Sequence, residues 1–169
     1  DALDIEMKRV IAELMIMANC LVAQRIYRTM PHCALLRNHP PPTADAAQAF
    51  RELAAARGVE IDVGSNRTFA ASLDAAVRQF DNAPEFALTL RSEAARALSE
   101  AAYVSSGAAA TLYHYDLAVD YYCHFTSPIR RYADMVVQRQ LWLALCLEEQ
   151  RATPLTATIP FSSHDVADL

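Results

Sequence analysis

The sequence predicts a mainly α fold with a few short strands, and three observations carry that expectation. Ala supplies 32 of the 169 residues and Gly only 3; Ala has the best helix propensity and Gly nearly the worst. Apolar residues recur at three- and four-residue spacings over long stretches, the period of one helix face. Hydrophobic residues make up 53%, enough to pack a core in a chain of about one-domain length. A β-sandwich or barrel built from this chain would need many more turn glycines. Gly58, Gly64 and Gly107 are too scattered to form the phosphate loop of a dinucleotide fold.

The elements follow in order. Met7, Val10, Ile11, Leu14, Met15, Ala18, Leu21, Val22 and Ile26 place one long amphipathic helix over about 5–28. Met30-Pro31 breaks it. A short strand is expected over 34–37, before a stiff connection through Pro40, Pro41 and Pro42. An Ala-rich helix resumes over 43–57, with Gly58 in the usual C-terminal place. Residues 59–63 read as a second short extended piece, and 68–80 as a third helix with Phe69, Leu73, Val77 and Phe80 on one side. Pro84, well placed in a first turn, opens a fourth helix that the apolar pattern carries to about 104. Residues 105–110 form a small-residue turn, and 113–125 an irregular stretch dense in Tyr and His. Ser127-Pro128 is expected to open a fifth helix to about 149. Residues 151–169, with Pro154 and Pro160 among many Ser and Thr, read as a linker or tail toward a further domain.

Charge and cysteine usage bound the chemistry. The net charge of −5 excludes a wholly basic nucleic-acid coat but leaves room for a local basic site. Cys20, Cys33, Cys123 and Cys146 match no zinc spacing, and reduced thiols of an intracellular protein are expected. No uninterrupted apolar run reaches about 18 residues, so no transmembrane helix is expected. The opening DALDIEMKR is no signal or transit peptide and reads as if cut from something longer.

The most informative stretch is His124-Phe-Thr-Ser-Pro-Ile-Arg-Arg-Tyr-Ala-Asp134. Ser127 is a good N-cap and Pro128 suits a first helical position. Arg130 and Arg131 would then stand in the first turn. Cations are unfavourable there unless an anion sits in front of them. A phosphate would gain backbone donors, the helix dipole and a bidentate guanidinium. The competing reading is ion pairing of Arg130 and Arg131 with Asp134, at i+4 and i+3.

The run HFTSPIRRYADMVVQRQL resembles the signature of the ribonuclease II (RNB) superfamily, most of all its eukaryotic exosome-associated branch. Residues 12–23 (AELMIMANCLVA) resemble the family helix with its Glu-x-Met and Ala-Asn elements. Residues 34–42 (ALLRNHPPP) resemble its strand followed by Arg-x-His-x-Pro, and 113–118 (YHYDLA) its His-Tyr-Gly-Leu-Ala run. Order and spacing agree over about 5–145, and the resemblance is to the C-terminal half of the catalytic domain, residues 1–150. It implies helices packed around a barrel-like sheet. It also implies a processive, magnesium-dependent 3′→5′ exoribonuclease that releases nucleoside monophosphates from single-stranded RNA. The implied partners are the N-terminal half of the RNB domain and an exosome or other RNA-processing complex. The implied compartments are nucleus and cytoplasm, with the mitochondrion as the alternative.

Carried over position by position, the resemblance makes Arg130 the arginine that reaches the scissile phosphate. Arg131 orders the loop or the RNA backbone, Ser127 caps the helix, and Asp134 orients an arginine. Glu13 and Asn19 match positions near the end of the RNA channel, where ribose contact competes with a core-network role. Tyr132 reads as a packed aromatic with a polar tip, the alternative being a base-stacking platform; with Arg131, Ser127, Glu13 and Asn19 it makes up the implied RNA-binding set. The family's metal-binding aspartates form a close cluster in the other half of the domain. Here Asp1, Asp4, Asp45, Asp62, Asp74 and Asp81 are scattered, so no metal site is expected and the chain alone should be inactive. Three positions depart from the family: Asp116 for a small residue, Gln138 for His, and Ala12 for Glu. They keep open a catalytically silent RNB-like protein acting in RNA binding or ribonucleoprotein assembly. A purely helical interaction domain is a weaker third reading.

Overall fold

The computed structural model describes residues 2–80 and 82–149 and contains five helices and two strands in two compact units. The expected tail over 151–169 lies outside the described residues. The first unit holds α1 (Ala2–Thr29), β1 (Leu35–Asn38), β2 (Ala102–Ser105) and α5 (Tyr132–Glu148). Its core joins Ala23 and Ile26 of α1, Leu35 and Leu36 of β1, and Val136, Val137 and Ala144 of α5. Arg25 and Thr29 on α1 both bond the Glu148 carboxylate at the end of α5, tying the two helices where they pack.

β1 and β2 pair antiparallel, with Leu35 opposite Ser105 and Arg37 opposite Tyr103. Two backbone donors of β1, Leu35 N and Arg37 N, are met from outside the sheet. The Gln140 side chain accepts from Leu35 N at 3.0 Å and donates to Cys33 O at 2.6 Å. Arg37 N donates to Tyr122 O at 2.7 Å. A buried backbone group needs such a partner, and here helix α5 supplies one through its buried Gln140.

The second unit holds α2 (Ala44–Ala55), α3 (Asn66–Gln79) and α4 (Pro84–Ala97). Thr43 caps α2 by accepting from Ala46 N, and Ser65 and Thr68 form a capping box on α3. Pro84 opens α4 as expected, and Gly58 takes a φ of +74° beyond α2. Phe50, Phe69, Val59, Ile61 and Leu90 fill the small core.

Four expectations need correction. The fourth helix ends at Ala97, not near 104, and Ala102–Ser105 is strand β2. Residues 59–63 are extended but find no ladder partner; Val59 and Ile61 bury against helices instead. Ser127 does not cap α5: residues 127–130 form a separate turn and Arg131 is the cap residue, without a side-chain bond. Finally, α1 is long and apolar enough over Asp4–Thr29 to cross a membrane by length and composition, because beyond Arg9 only Glu13 and Arg25 interrupt the next 18 residues. The two strands form a two-stranded sheet; no barrel is seen among the described residues.

Gly107 marks a close backbone approach. A Cβ built there would sit inside contact distance of the His32 carbonyl oxygen, which is backbone and cannot swing away. Gly107→Ala should therefore destabilise the first unit by about 2 kcal/mol, the usual scale of a steric insertion into packed structure. Urea unfolding checks this, and an unchanged midpoint would show that the turn can yield.

Candidate functional site

The site is built on the segment between the irregular loop and α5. Asp134 occupies the first turn of α5, where the free N–H groups favour a negative charge. It is fully buried. A buried carboxylate is stable only when its oxygens are bonded, and three donors reach it. Arg131 Nε donates at 2.6 Å and Nη2 at 2.9 Å, a bidentate fork, and Ser127 N donates at 2.7 Å. Burial pushes the carboxyl up, but these bonds outweigh it and hold the Asp134 pKa below the ordinary carboxylate range. The same pair raises the Arg131 pKa.

That pairing settles the geometry of the turn. Ser127 N is anchored to Asp134, and Arg130 N closes back on Ser127 O at 3.2 Å. Pro128 presets the first corner. Arg130 ends the turn exposed, and among the described residues its guanidinium makes no ion pair or hydrogen bond. Of the two arginines, the i+3 partner of Asp134 is taken and the i+4 partner is left free.

Behind the turn lies a neutral network. Asn19 is 2% exposed: its amide donates to Tyr122 Oη at 3.1 Å and accepts from Phe125 N at 3.0 Å, and its carbonyl oxygen accepts from the Cys123 thiol. Burial pushes that thiol far up, so it stays protonated. Tyr103 on β2 meets His124 Nδ1 through its hydroxyl at 2.7 Å, and the Arg37 guanidinium lies 4.6 Å from the Tyr103 ring centroid. Burial, and after it the neighbouring Arg131, lowers the His124 pKa to about 4. The imidazole is therefore neutral at physiological pH. Tyr103, Arg131, Tyr132 and Ala133 line a shallow groove of about 230 Å³.

Hydrogen bonds thus join Ser127, Arg131 and Asp134, with Arg130 on the same turn and Tyr132 in the adjoining groove. Asn19 sits in the core network. Glu13 is exposed on α1, and no described bond links it to this cluster. Sequence reasoning missed Tyr103, His124 and Arg37 as parts of one group. The cross-strand register Arg37–Tyr103 is the signal that unites two of them, and it requires the strand that was read as helix. Among the described residues no three His, Cys, Asp or Glu side chains could hold a metal ion.

The RNB domain family model matches residues 4–146. The exosome complex exonuclease RRP44 homolog A of Arabidopsis thaliana is 41% identical over 143 residues, covering 83% of this chain and 15% of that protein. The structure of yeast Ssd1, a pseudonuclease, superposes with a TM-score of 0.70 at 28% identity, over 86% of this chain and 17% of that one. Mycoplasma genitalium RNase R, solved in complex with ribose-methylated single-stranded RNA, gives 0.67 at 28% identity, over 87% and 22%. The chain thus spans about a seventh of the curated relative it matches.

Two predictions follow from the charges. Asp134→Asn leaves Arg131 largely buried without its counter-ion and should cost about 3 kcal/mol, whereas Asp134→Asn with Arg131→Met should recover part of it; denaturant unfolding of both variants measures this. The native imidazole of His124 holds its proton less tightly than in the unfolded chain, so unfolding takes up a proton between about pH 6.5 and about pH 4. Stability should fall as pH drops through that window, and His124→Phe should flatten the fall. Asp134 adds a further loss only at lower pH, as it protonates below the ordinary carboxylate value. Equal pH slopes in the variant and the parent chain would contradict the His124 assignment.

Proposed function

The chain belongs to the RNB domain family, and on that premise we propose that residues 1–150 are the C-terminal half of the catalytic domain of a 3′→5′ exoribonuclease, with 151–169 a linker or tail. The parent protein hydrolyses single-stranded RNA processively to nucleoside monophosphates. Its partners are the RNA, the N-terminal half of the RNB domain and an exosome or related RNA-processing complex. It works inside the cell, in nucleus and cytoplasm.

The observation that carries this reading is the division of labour between adjacent arginines. Asp134 is satisfied by Arg131 and Ser127 N, so Arg130 is exposed on an anchored turn with its guanidinium unclaimed. A fixed planar fork suits two oxygens of one phosphate. Arg130 is the catalytic residue of this half: it binds the scissile phosphate and stabilises charge that builds during in-line attack. Arg131 holds the turn in place. Ser127 fixes the turn by its backbone, Asn19 orders the 122–125 loop behind it, and Glu13 and Tyr132 are exposed for ribose or backbone contact with RNA.

The residues described here do not fit a resident metal ion. The carboxylates that gather magnesium in the parent enzyme come from the other half, and no step is assigned to the metal on this chain.

A second reading is a catalytically silent RNB-like protein that binds RNA or assembles a ribonucleoprotein. The similarity to a pseudonuclease favours it, as do two departures from the family pattern. Asp116 is exposed, with its backbone N–H on His39 Nδ1 at 3.3 Å. Gln138 donates to Phe125 O at 3.4 Å where the family has His.

Residues 1–169 alone should release no mononucleotides from single-stranded RNA in magnesium above a chelated control; release would overturn the division into halves. In the full-length protein, Arg130→Ala should lower turnover about a hundredfold, the scale of one lost oxyanion-type contact. RNA affinity should change far less, because many phosphate contacts share the binding. Arg130→Lys keeps the charge but not the fork and should not rescue. A full-length protein that binds RNA but never cleaves it would favour the silent reading.

A further inference from the structure

Among the described arginines only Arg37 and Arg131 are half-buried; the others are exposed. Exposure decides how much a missing counter-ion matters, because water solvates an exposed guanidinium and is partly withdrawn from a buried one. Arg131 has its anion in Asp134. Arg37 has none. Among the described residues its guanidinium makes no ion pair and no hydrogen bond, and it rests instead against the face of Tyr103, with Cζ 4.6 Å from the ring centroid.

That guanidinium has a firm support. Arg37 stands opposite Tyr103 in the β1–β2 ladder, so both side chains leave the sheet on one face. The far end of the ring is held through its hydroxyl, 2.7 Å from His124 Nδ1. The backbone is pinned as well, since Arg37 N donates to Tyr122 O. A cation placed in this way keeps its position without an anion, and its N–H groups stay unspent. The surroundings are short of negative charge. Burial raises the Tyr103 pKa, and Arg37, Arg131 and Arg130 all pull against it; the same three guanidinium groups, after burial, press on His124. The carboxylate that acts on both groups, Asp134, is already bonded by Arg131 and Ser127 N. In a chain of net charge −5 this corner is cationic. Tyr103 also lines the groove it shares with Arg131 and Tyr132, beside the turn that carries Arg130.

Two unclaimed guanidinium groups, one on the sheet and one on the turn, suit two phosphates of one strand better than a single anion. We propose that Arg37 is a further RNA-binding residue, which takes a phosphate neighbouring the one that Arg130 holds. The inference rests on the reading of Arg130 given above and extends it from one phosphate to two. Arg37 thereby sets the register of the strand, because an RNA fixed at two phosphates cannot slide while Arg130 stays engaged.

The test uses the full-length protein, titrated with single-stranded RNA over a range of salt, in a metal chelator so that nothing is cleaved. Each phosphate neutralised on a single strand contributes about 0.7 to the slope of log affinity against log salt, so Arg37→Gln should reduce that slope by about 0.7 and weaken binding at low salt. Arg37→Lys keeps the charge and should keep the slope. In magnesium, Arg37→Gln should raise KM more than it lowers kcat, the opposite of Arg130→Ala. An unchanged slope would leave Arg37 as a support for Tyr103 alone and overturn the proposal. The unsubstituted protein gives a second measurement that no folding defect can mimic. A dicarbonyl reagent for guanidinium groups, followed by peptide mass, should modify Arg37, and saturating RNA should slow that reaction several-fold. No reaction without RNA, or the same rate with it, would equally overturn the proposal. Normal turnover in Arg130→Ala would remove the reading on which it rests, whereas a slow Arg130→Ala beside an unchanged slope in Arg37→Gln would remove Arg37 alone.

Discussion

A single carboxylate organises the candidate site. Asp134 is wholly buried, and the cost of burying that charge is offset only if its oxygens are saturated. The guanidinium of Arg131 and the N–H of Ser127 supply the saturation. From this requirement the rest follows. The chain must bend between 127 and 130 to bring Ser127 N back to the helix start. Arg131 must face inward, and its neighbour must therefore face out. The cationic pair is divided into one buried and one exposed guanidinium by the needs of an anion inside the protein, before any substrate is considered.

The surroundings reinforce that division. Burial first, and after it the charge of Arg131, keeps His124 neutral. A neutral imidazole can meet the Tyr103 hydroxyl through Nδ1, which in turn keeps Tyr103 oriented under Arg37. Helix α5 contributes at its other buried polar position as well, where Gln140 completes the hydrogen bonding of the chain around β1. The helix is thus bonded to the strand at Gln140, while Asp134 ties its start to the 127–131 turn, with apolar contacts between the two points.

The helices were legible because their signals are local. The periodic apolar faces, the Thr43 cap, Pro84 at a helix start and Gly58 after a helix end each lie within a few residues of the feature they specify. Strand β2 was not legible for the opposite reason. Ala102–Ser105 follows an Ala-rich helix without a proline, and its strand character comes from pairing with β1, far away in the chain. The turn at 127–130 misled differently. Ser-Pro is a sound helix-opening signal, but the Ser127 N–H is drawn to a carboxylate seven residues later, and the helix starts only after Arg131. The spacing to Asp134 allowed either arginine to pair; only the three-dimensional path decided for Arg131. Asn19 was weighed between ribose contact and a core network; its side chain is buried and bonds Tyr122 and Phe125.

The pairing of Asn38 with Ala102 at the end of the sheet has a consequence for how the chain assembles. Everything from 39 to 101 is a loop closed by two adjacent strands, and closing a long flexible loop carries an entropic cost that slows nucleation. That loop contains a core of its own. If α2, α3 and α4 collapse first, the strand ends are delivered by a compact body rather than by a random coil, and the hairpin forms as though its connection were short. The same arrangement makes the excursion modular. Its two ends lie a strand spacing apart, so helices can be lengthened, trimmed or exchanged between them over evolutionary time while the strands, and the arginine turn supported near them, keep their register.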